Sequence, residues 1–283
     1  MSEATRRARG QWLHAPGGDV LQHLLALQAQ DVRTPALALQ VRGGELDDGM
    51  RITWLMRSTL HLVHAEDLAW LHPLFAPRME AGNRRRQRQL GVTDAQAERA
   101  VELIAASVPA KRAELAERLA SNGIPVEGQA IVHLLARAAM EGRVALTPDR
   151  VFVALELPEP PDRETSLDEL ARRYYAAHSG ATADDLAYWS GLPKRDCRPP
   201  IASSPVEDGP VGRVLLPAFD ELLLGWRDRT PTVAAEHARA VHPGGGILRP
   251  VILEDGVAVG TWSVSGGEAL FTCGRGPSSS ARA

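Results

Sequence analysis

Gln28 and Gln30, in the stretch LLALQAQDVRTPALALQVR (residues 24–42), are the residues whose type and spacing first suggest chemistry. At helical periodicity Leu21, Leu24 and Gln28 fall on one face, which is expected to be buried. A primary amide there brings two donors and two acceptor lone pairs into a place where an unpaired polar atom costs about 1–3 kcal/mol. The amide is either satisfied internally or opens onto a ligand. Gln30 shares the direction of Gln28 only where the backbone is extended or unwinding, since i,i+2 positions on a regular helix diverge by roughly 200°. If the two act together, the helix must end at the pair. Thr34-Pro35 reads as an N-cap and first-turn proline of a new helix carrying ALALQVR and stopping at Gly43-Gly44. The competing reading is a pair of satisfied amides at a helix terminus.

Other chemistry is thinly signalled. Cys197 and Cys273 stand alone, which argues against a disulfide framework and a cysteine-based zinc site. Nine histidines are scattered, and only His61 and His64 lie close together, without a metal-ligand spacing. No metal and no cofactor is expected. Basic residues cluster at Arg6, Arg7 and Arg9, at Arg84, Arg85, Arg86 and Arg88, and around Lys194, Arg195 and Arg198, where arginine forks could hold phosphates. The net charge of −3 disfavours a protein that coats nucleic acid nonspecifically. Charge runs are also commonly solvated faces.

The elements that must position these residues follow a helix-rich α+β pattern. At 283 residues, 44% hydrophobic and 24% charged, the chain is globular with ample core. No apolar run approaches membrane-spanning length, and MSEATRRARGQW lacks a signal-peptide core, so the expectation is a cytoplasmic protein with no membrane partner. RITWLMRSTLHLVH (51–64) reads as a strand or hairpin, followed by a helix from Glu66; residues 94–106 form a helix with an Asp start signal. Residues 112–123 and 128–142 are helices ended by glycine, and 143–155 reads as two strands around TPDR, the order of a winged helix. LPEPPDRETS (157–166) is a connector. Residues 166–180 read as a helix capped by Ser166 with Glu169 at the capping-box position. Residues 181–198, with Thr182 and Asp185 and a glycine turn at Gly191, resemble a helix-turn-helix. VILEDGVAVGTW (251–262) is a hairpin around Glu-Asp-Gly.

Taken together, LLALQAQD (24–31), MRSTLHLVHAEDL (56–68), TADDLAYWSGL (182–192), LLPAFDELLLGWRDR (215–229) and VILEDGVAVGTW (251–262) resemble one family, the AlkZ-like DNA glycosylases. The resemblance implies tandem winged helices forming a concave DNA-binding surface, with a Gln-x-Gln motif in its cleft, here Gln28-Ala29-Gln30. It implies double-stranded DNA with alkylated bases or crosslinks as partner, a monomer, and a bacterial nucleoid location when bound. The implied activity is excision of N7-alkylpurine-type bases, with unhooking of interstrand crosslinks in some members. In that chemistry Gln28 and Gln30 hold a water beneath C1′ and stabilise charge developing on the sugar. Neither amide is by itself a base, which leaves open whether Asp31 assists.

Candidate DNA contacts are Arg57, His61 and His64, in a segment that carries the resemblance, and Arg84, Arg85, Arg86, Lys194 and Arg195, from the basic clusters. Asp220 and Arg229 read as architecture, an internal ion pair. The expected segments are 1–92, a winged-helix-like region carrying Gln-x-Gln; 93–160, a winged helix; 161–264, a C-terminal winged helix with the LLPAFDELLLGWRDR signature and the last hairpin; and 265–283, a Gly/Ser-rich disordered tail. The alternative to a glycosylase is a non-catalytic winged-helix DNA-binding protein, regulatory or damage-sensing. A module that binds other proteins is a third reading.

Overall fold

The computed structural model describes residues 1–200, 205–265 and 268–273. It divides into two compact units, one of residues 46–167 and one combining residues 1–45 with the chain from 168 onward. The units do not match the three consecutive segments expected, because the first 45 residues group with the end of the chain in one unit. Contacts such as Thr34 to Ala218 join residues 184 apart in sequence, and linkers and composition carry no sign of such a partner.

In the unit of residues 46–167, β2 (Met50–Trp54) and β3 (Leu60–His64) form the expected antiparallel hairpin, in register from Met50 opposite His64 to Trp54 opposite Leu60. Its tip is strained: Arg57 and Ser58 hold φ of 54° and 60° in a short 3-10 turn. α4 (Leu68–Gln89) comes next, then α5 (Asp94–Ala105), whose cap is the reciprocal Thr93–Gln96 box with Asp94 as the first helical residue. β4 (Ala110–Lys111), α6 (Arg112–Ser121), α7 (Ala130–Met140), β5 (Val144–Leu146) and β6 (Val151–Ala154) complete it. The strands run in the order β3-β2-β5-β6-β4. α7 is apolar because it packs against α4, α5 and the sheet, with Leu134, Leu135 and Ala138 buried.

The other unit opens with α1 (Glu3–Gly10), α2 (Val20–Leu24), the two-residue extended segment β1 (Leu27–Gln28) and α3 (Thr34–Gln40). α8 (Arg163–Ala177) brings the chain back. It begins three residues before the expected cap: Asp162 Oδ1 accepts from the Thr165 amide at 2.9 Å, Ser166 donates to the Asp162 carbonyl within the first turn, and Glu169 pairs with Arg172. α9 (Ala183–Ser190) has the expected Thr182–Asp185 capping box and ends at Gly191 in the left-handed region. Among the described residues no second helix directly succeeds it. Lys194–Asp196 is a single 3-10 turn, since Pro193 precedes it and Pro199-Pro200 close in behind it.

β7 (Arg213–Leu216), α10 (Glu221–Leu224), α11 (Ala238–Val241), β8 (Val251–Glu254), β9 (Val257–Ser265) and β10 (Glu268–Cys273) complete this unit, and its sheet runs β10-β9-β8-β7, antiparallel throughout. The tail expected from residue 265 therefore gives way first to a strand, because the sheet supplies backbone partners that low apolar periodicity does not reveal. Residues 274–283 lie outside those described. No helix among the described residues is long and apolar enough to cross a membrane.

Candidate active site

α2 is capped by Asp19 and ends at Leu24, because Leu25 adopts φ 70° and turns the chain out of the helix. Gln28 is consequently not on a helical stripe with Leu21 and Leu24; it lies in extended backbone beyond the helix. That places Gln28 and Gln30 on the same side, the geometry their spacing requires, and Gln28 Nε2 donates to Gln30 Oε1 at 3.0 Å. The pair is anchored by Leu24, Leu25, Ala26, Leu27 and Ala29, all buried. Gln28 is itself 8% exposed, whereas Gln30 is exposed.

The hydrogen bond decides which way the buried amide faces. Only the NH2 end of Gln28 can give a proton to the Gln30 carbonyl, so the Gln28 carbonyl points away from it. That oxygen, Gln28 Oε1, is buried and has no hydrogen-bond partner among the described residues. A protein normally satisfies such an acceptor, at a penalty of about 1–3 kcal/mol where it does not. Asp31 is engaged locally, its Oδ1 accepting from the Arg33 amide at 2.9 Å in the turn before α3.

α3 is held at both ends by the LLPAFDELLLGWRDR segment. Its expected N-cap is displaced: Arg33 occupies the cap position without a side-chain bond, and the Thr34 hydroxyl donates to the Ala218 carbonyl at 2.9 Å. Beyond its other end, Arg42 donates to both carboxylate oxygens of Asp220 at 3.0 and 2.8 Å, with both side chains fully buried. Arg42 also donates to the Gln11 backbone and side-chain carbonyls and to Ala38 O. Asp220 is thus an architectural residue as expected, but its partner is Arg42. Arg229 instead donates to the Leu223 carbonyl and to the Tyr188 hydroxyl. Arg42 escaped sequence reading although it sits seven residues after Pro35 and four after Ala38, two residues past α3 and in phase with its buried side; a charge at that phase was the available signal.

Glu221, the next residue of the segment, is buried against the aromatic core. Its Oε1 accepts from Trp189 Nε1 at 2.5 Å and meets His178 Nε2 at 2.9 Å, while His178 Nδ1 donates to the Tyr174 carbonyl at 2.7 Å. Burial raises the Glu221 carboxyl above its usual range, and the His178 contact opposes that shift.

The candidate DNA contacts divide by exposure. Arg57 stands exposed at the hairpin tip and His64 is half-buried at the end of β3. His61 turns inward at 4% exposure, its Nδ1 donating to the Thr59 carbonyl, and burial pushes its pKa down to about 3. It is neutral and unavailable to a phosphate, a correction that stems from its place on the inner face of β3. Arg84 is paired with Glu80, and Arg86 donates to Gln89 and Gln129, while Arg85 is exposed. Lys194 pairs with Asp184, and Arg195 is exposed with Asp196 at 3.9 Å. Among the described residues no group of three or more His, Cys, Asp or Glu is placed to hold a metal ion.

The sequence matches the family described as "DNA glycosylase AlkZ-like" over residues 21–204 and 198–272. Among solved structures, the Streptomyces sahachiroi DNA glycosylase AlkZ is similar at 21% identity and a TM-score of 0.72, covering 95% of this chain and 89% of its own, a likeness of fold. No curated protein matches.

Proposed function

The chain belongs to the AlkZ-like DNA glycosylase family, and from that premise we propose that it is a monofunctional hydrolase of the N-glycosidic bond of N7-alkylpurine-type bases in double-stranded DNA, acting as a monomer. The observation that carries this reading is the buried Gln28 Oε1, without a partner among the described residues and held in one orientation by Gln30. N7-alkylation makes the purine cationic and weakens its bond to C1′ before the protein acts. The bond breaks with its electron pair leaving on the base, which departs neutral, and the positive charge passes to the sugar. Gln28 Oε1 accepts a hydrogen bond from a water, aims its lone pair at C1′ and presents the negative end of its dipole to the sugar. Water adds to C1′ and sheds one proton to solvent, so no strong base is required, and no step calls for a metal or cofactor.

Gln30 is then a positioning residue that prevents the Gln28 amide from flipping. Its own exposure leaves that side of the pair open to bulky adducts, and crosslink unhooking falls within the same reaction. We read α5, β4, α6, α7 and the β5–β6 hairpin as a winged helix that grips the duplex. Exposed Arg57, Arg85 and Arg195 are the phosphate contacts of this reading.

The test is base release from a duplex bearing one N7-methylguanine, under single-turnover conditions. Wild type excises; Gln28→Ala loses on the order of 10²-fold in rate with duplex binding retained. Gln30→Ala falls as well, and Gln30→Glu, which still offers Gln28 an acceptor, recovers part of the loss. No excision of this lesion or of a mustard crosslink, with binding intact, would return Gln28 to a structural amide and leave a DNA-binding protein without catalysis.

A further inference from the structure

A second site lies within the unit of residues 46–167, beneath the β2–β3 hairpin tip. It is a cavity of about 210 Å³ between Trp54 at the end of β2, α4 and α7. That is room for roughly seven water molecules at ~30 Å³ each, or for one planar bicyclic ring. Its walls are apolar and partly soft: the Trp54 ring, Met79, Met140, Val132 and Ala136. Among the described residues no charged side chain lines it, so a charged occupant would be desolvated without a partner.

One polar group in the wall has a defined sense. Asn83 Nδ2 donates to the His133 backbone carbonyl at 3.0 Å, which can only accept, so the Asn83 carbonyl oxygen must face His133 Nδ1, 2.7 Å away. Nδ1 therefore carries the ring hydrogen, and Nε2 is left as an acceptor with no partner among the described residues. Burial, with Arg86 nearby, lowers the pKa of His133 and keeps the ring neutral. A flat aromatic wall, a neutral lining and one acceptor edge ask for a neutral heteroaromatic ring that presents an N–H.

In a protein whose partner is DNA, we infer that this cavity binds a single neutral purine base, stacked on Trp54 and donating an N–H to His133 Nε2. The inference rests on the glycosylase reading only for the identity of the partner. The base arrives either free, as an excision product, or swung out of a duplex.

2-Aminopurine, whose emission falls on stacking against tryptophan, is the probe, used as the free base and within a duplex opposite an abasic site. The full chain is compared with Val132→Trp, which fills the cavity from a half-buried position, and His133→Phe, which removes the acceptor. Saturable quenching of the free base that weakens at least about tenfold in both variants, the ~1.4 kcal/mol of one hydrogen bond or more, supports the site with the free base as ligand. Quenching seen only in the duplex, and lost in both variants, supports it with an extruded base as ligand. No saturable quenching with either probe, or quenching that both variants retain while their thermal unfolding matches wild type, overturns the inference. N7-methylguanine release, measured on the same proteins, separates this outcome from failure of the glycosylase reading: a wild type that excises but does not bind 2-aminopurine sinks the cavity alone.

Discussion

Replacing Asp220 by alanine probes how the LLPAFDELLLGWRDR segment holds the glutamine pair. Asp220 accepts two hydrogen bonds from Arg42, at 3.0 and 2.8 Å, and a third from the Leu222 amide at 3.0 Å as the cap of α10. Without it Arg42 remains fully buried with, among the described residues, the neutral oxygens of Gln11 and Ala38 for partners. Removing one member of a buried pair costs about 3–5 kcal/mol, chiefly from the charge left behind. Against a domain stability of about 5–15 kcal/mol this is a large fraction, a fall in Tm of roughly 6–20 °C. Removing both charges by Arg42→Met with Asp220→Leu leaves no stranded ion, so the double variant is expected to be more stable than Asp220→Ala by about 2 kcal/mol. Urea unfolding at constant slope reads both quantities. Because Thr34 and Arg42 secure the two ends of α3, directly after Gln28 and Gln30, Asp220→Ala is also expected to slow base release below its melting range. A loss under about 1 kcal/mol for Asp220→Ala, or effects of Arg42→Met and Asp220→Leu that simply add, would refute the coupling.

Other contacts give three further expected outcomes. Gly225→Ala drives a Cβ into the His178 ring and to 3.0 Å from the Glu221 carbonyl, and overpacking in that aromatic core is expected to lower stability by about 1–3 kcal/mol in urea titration. His61 has a folded pKa near 3, below its unfolded value of 6.5, so the unfolded chain binds the extra proton between those pH values. Its contribution is intact above pH 6.5 and falls as pH drops, by about 2 kcal/mol at pH 5, and His61→Phe should flatten that part of the stability profile. Exposed Arg85 should contribute nearly a full charge to phosphate binding, so Arg85→Ala reduces the slope of log affinity against log salt by about 0.9, whereas Arg84→Ala, already paired with Glu80, changes it less.

The sequence alone determined the features that depend on near neighbours. The Thr182–Asp185 box, the stop at Gly191, the hairpins at 50–64 and 251–262 and the helix, helix, hairpin order of 112–155 each rest on residues a few positions apart, and each is present. The pairing of Gln28 with Gln30 also belongs here, since two residues of extended backbone are enough to align them. Where local signals competed, the reading missed by a few residues: Asp162 displaced Ser166 as the cap of α8, and Leu25 ended α2 before it reached Gln28. Tertiary structure alone decided which distant groups meet. Arg229 and Asp220 are nine residues apart with opposite charges, yet Asp220 is taken by Arg42, 178 residues away, because both lie where no water can solvate either. Nothing in a single sequence encodes that Gln28 Oε1 is buried without a donor among the described residues while Gln30 is exposed. Burial is a property of the packed chain, and it is burial that turns an ordinary amide into a candidate for catalysis.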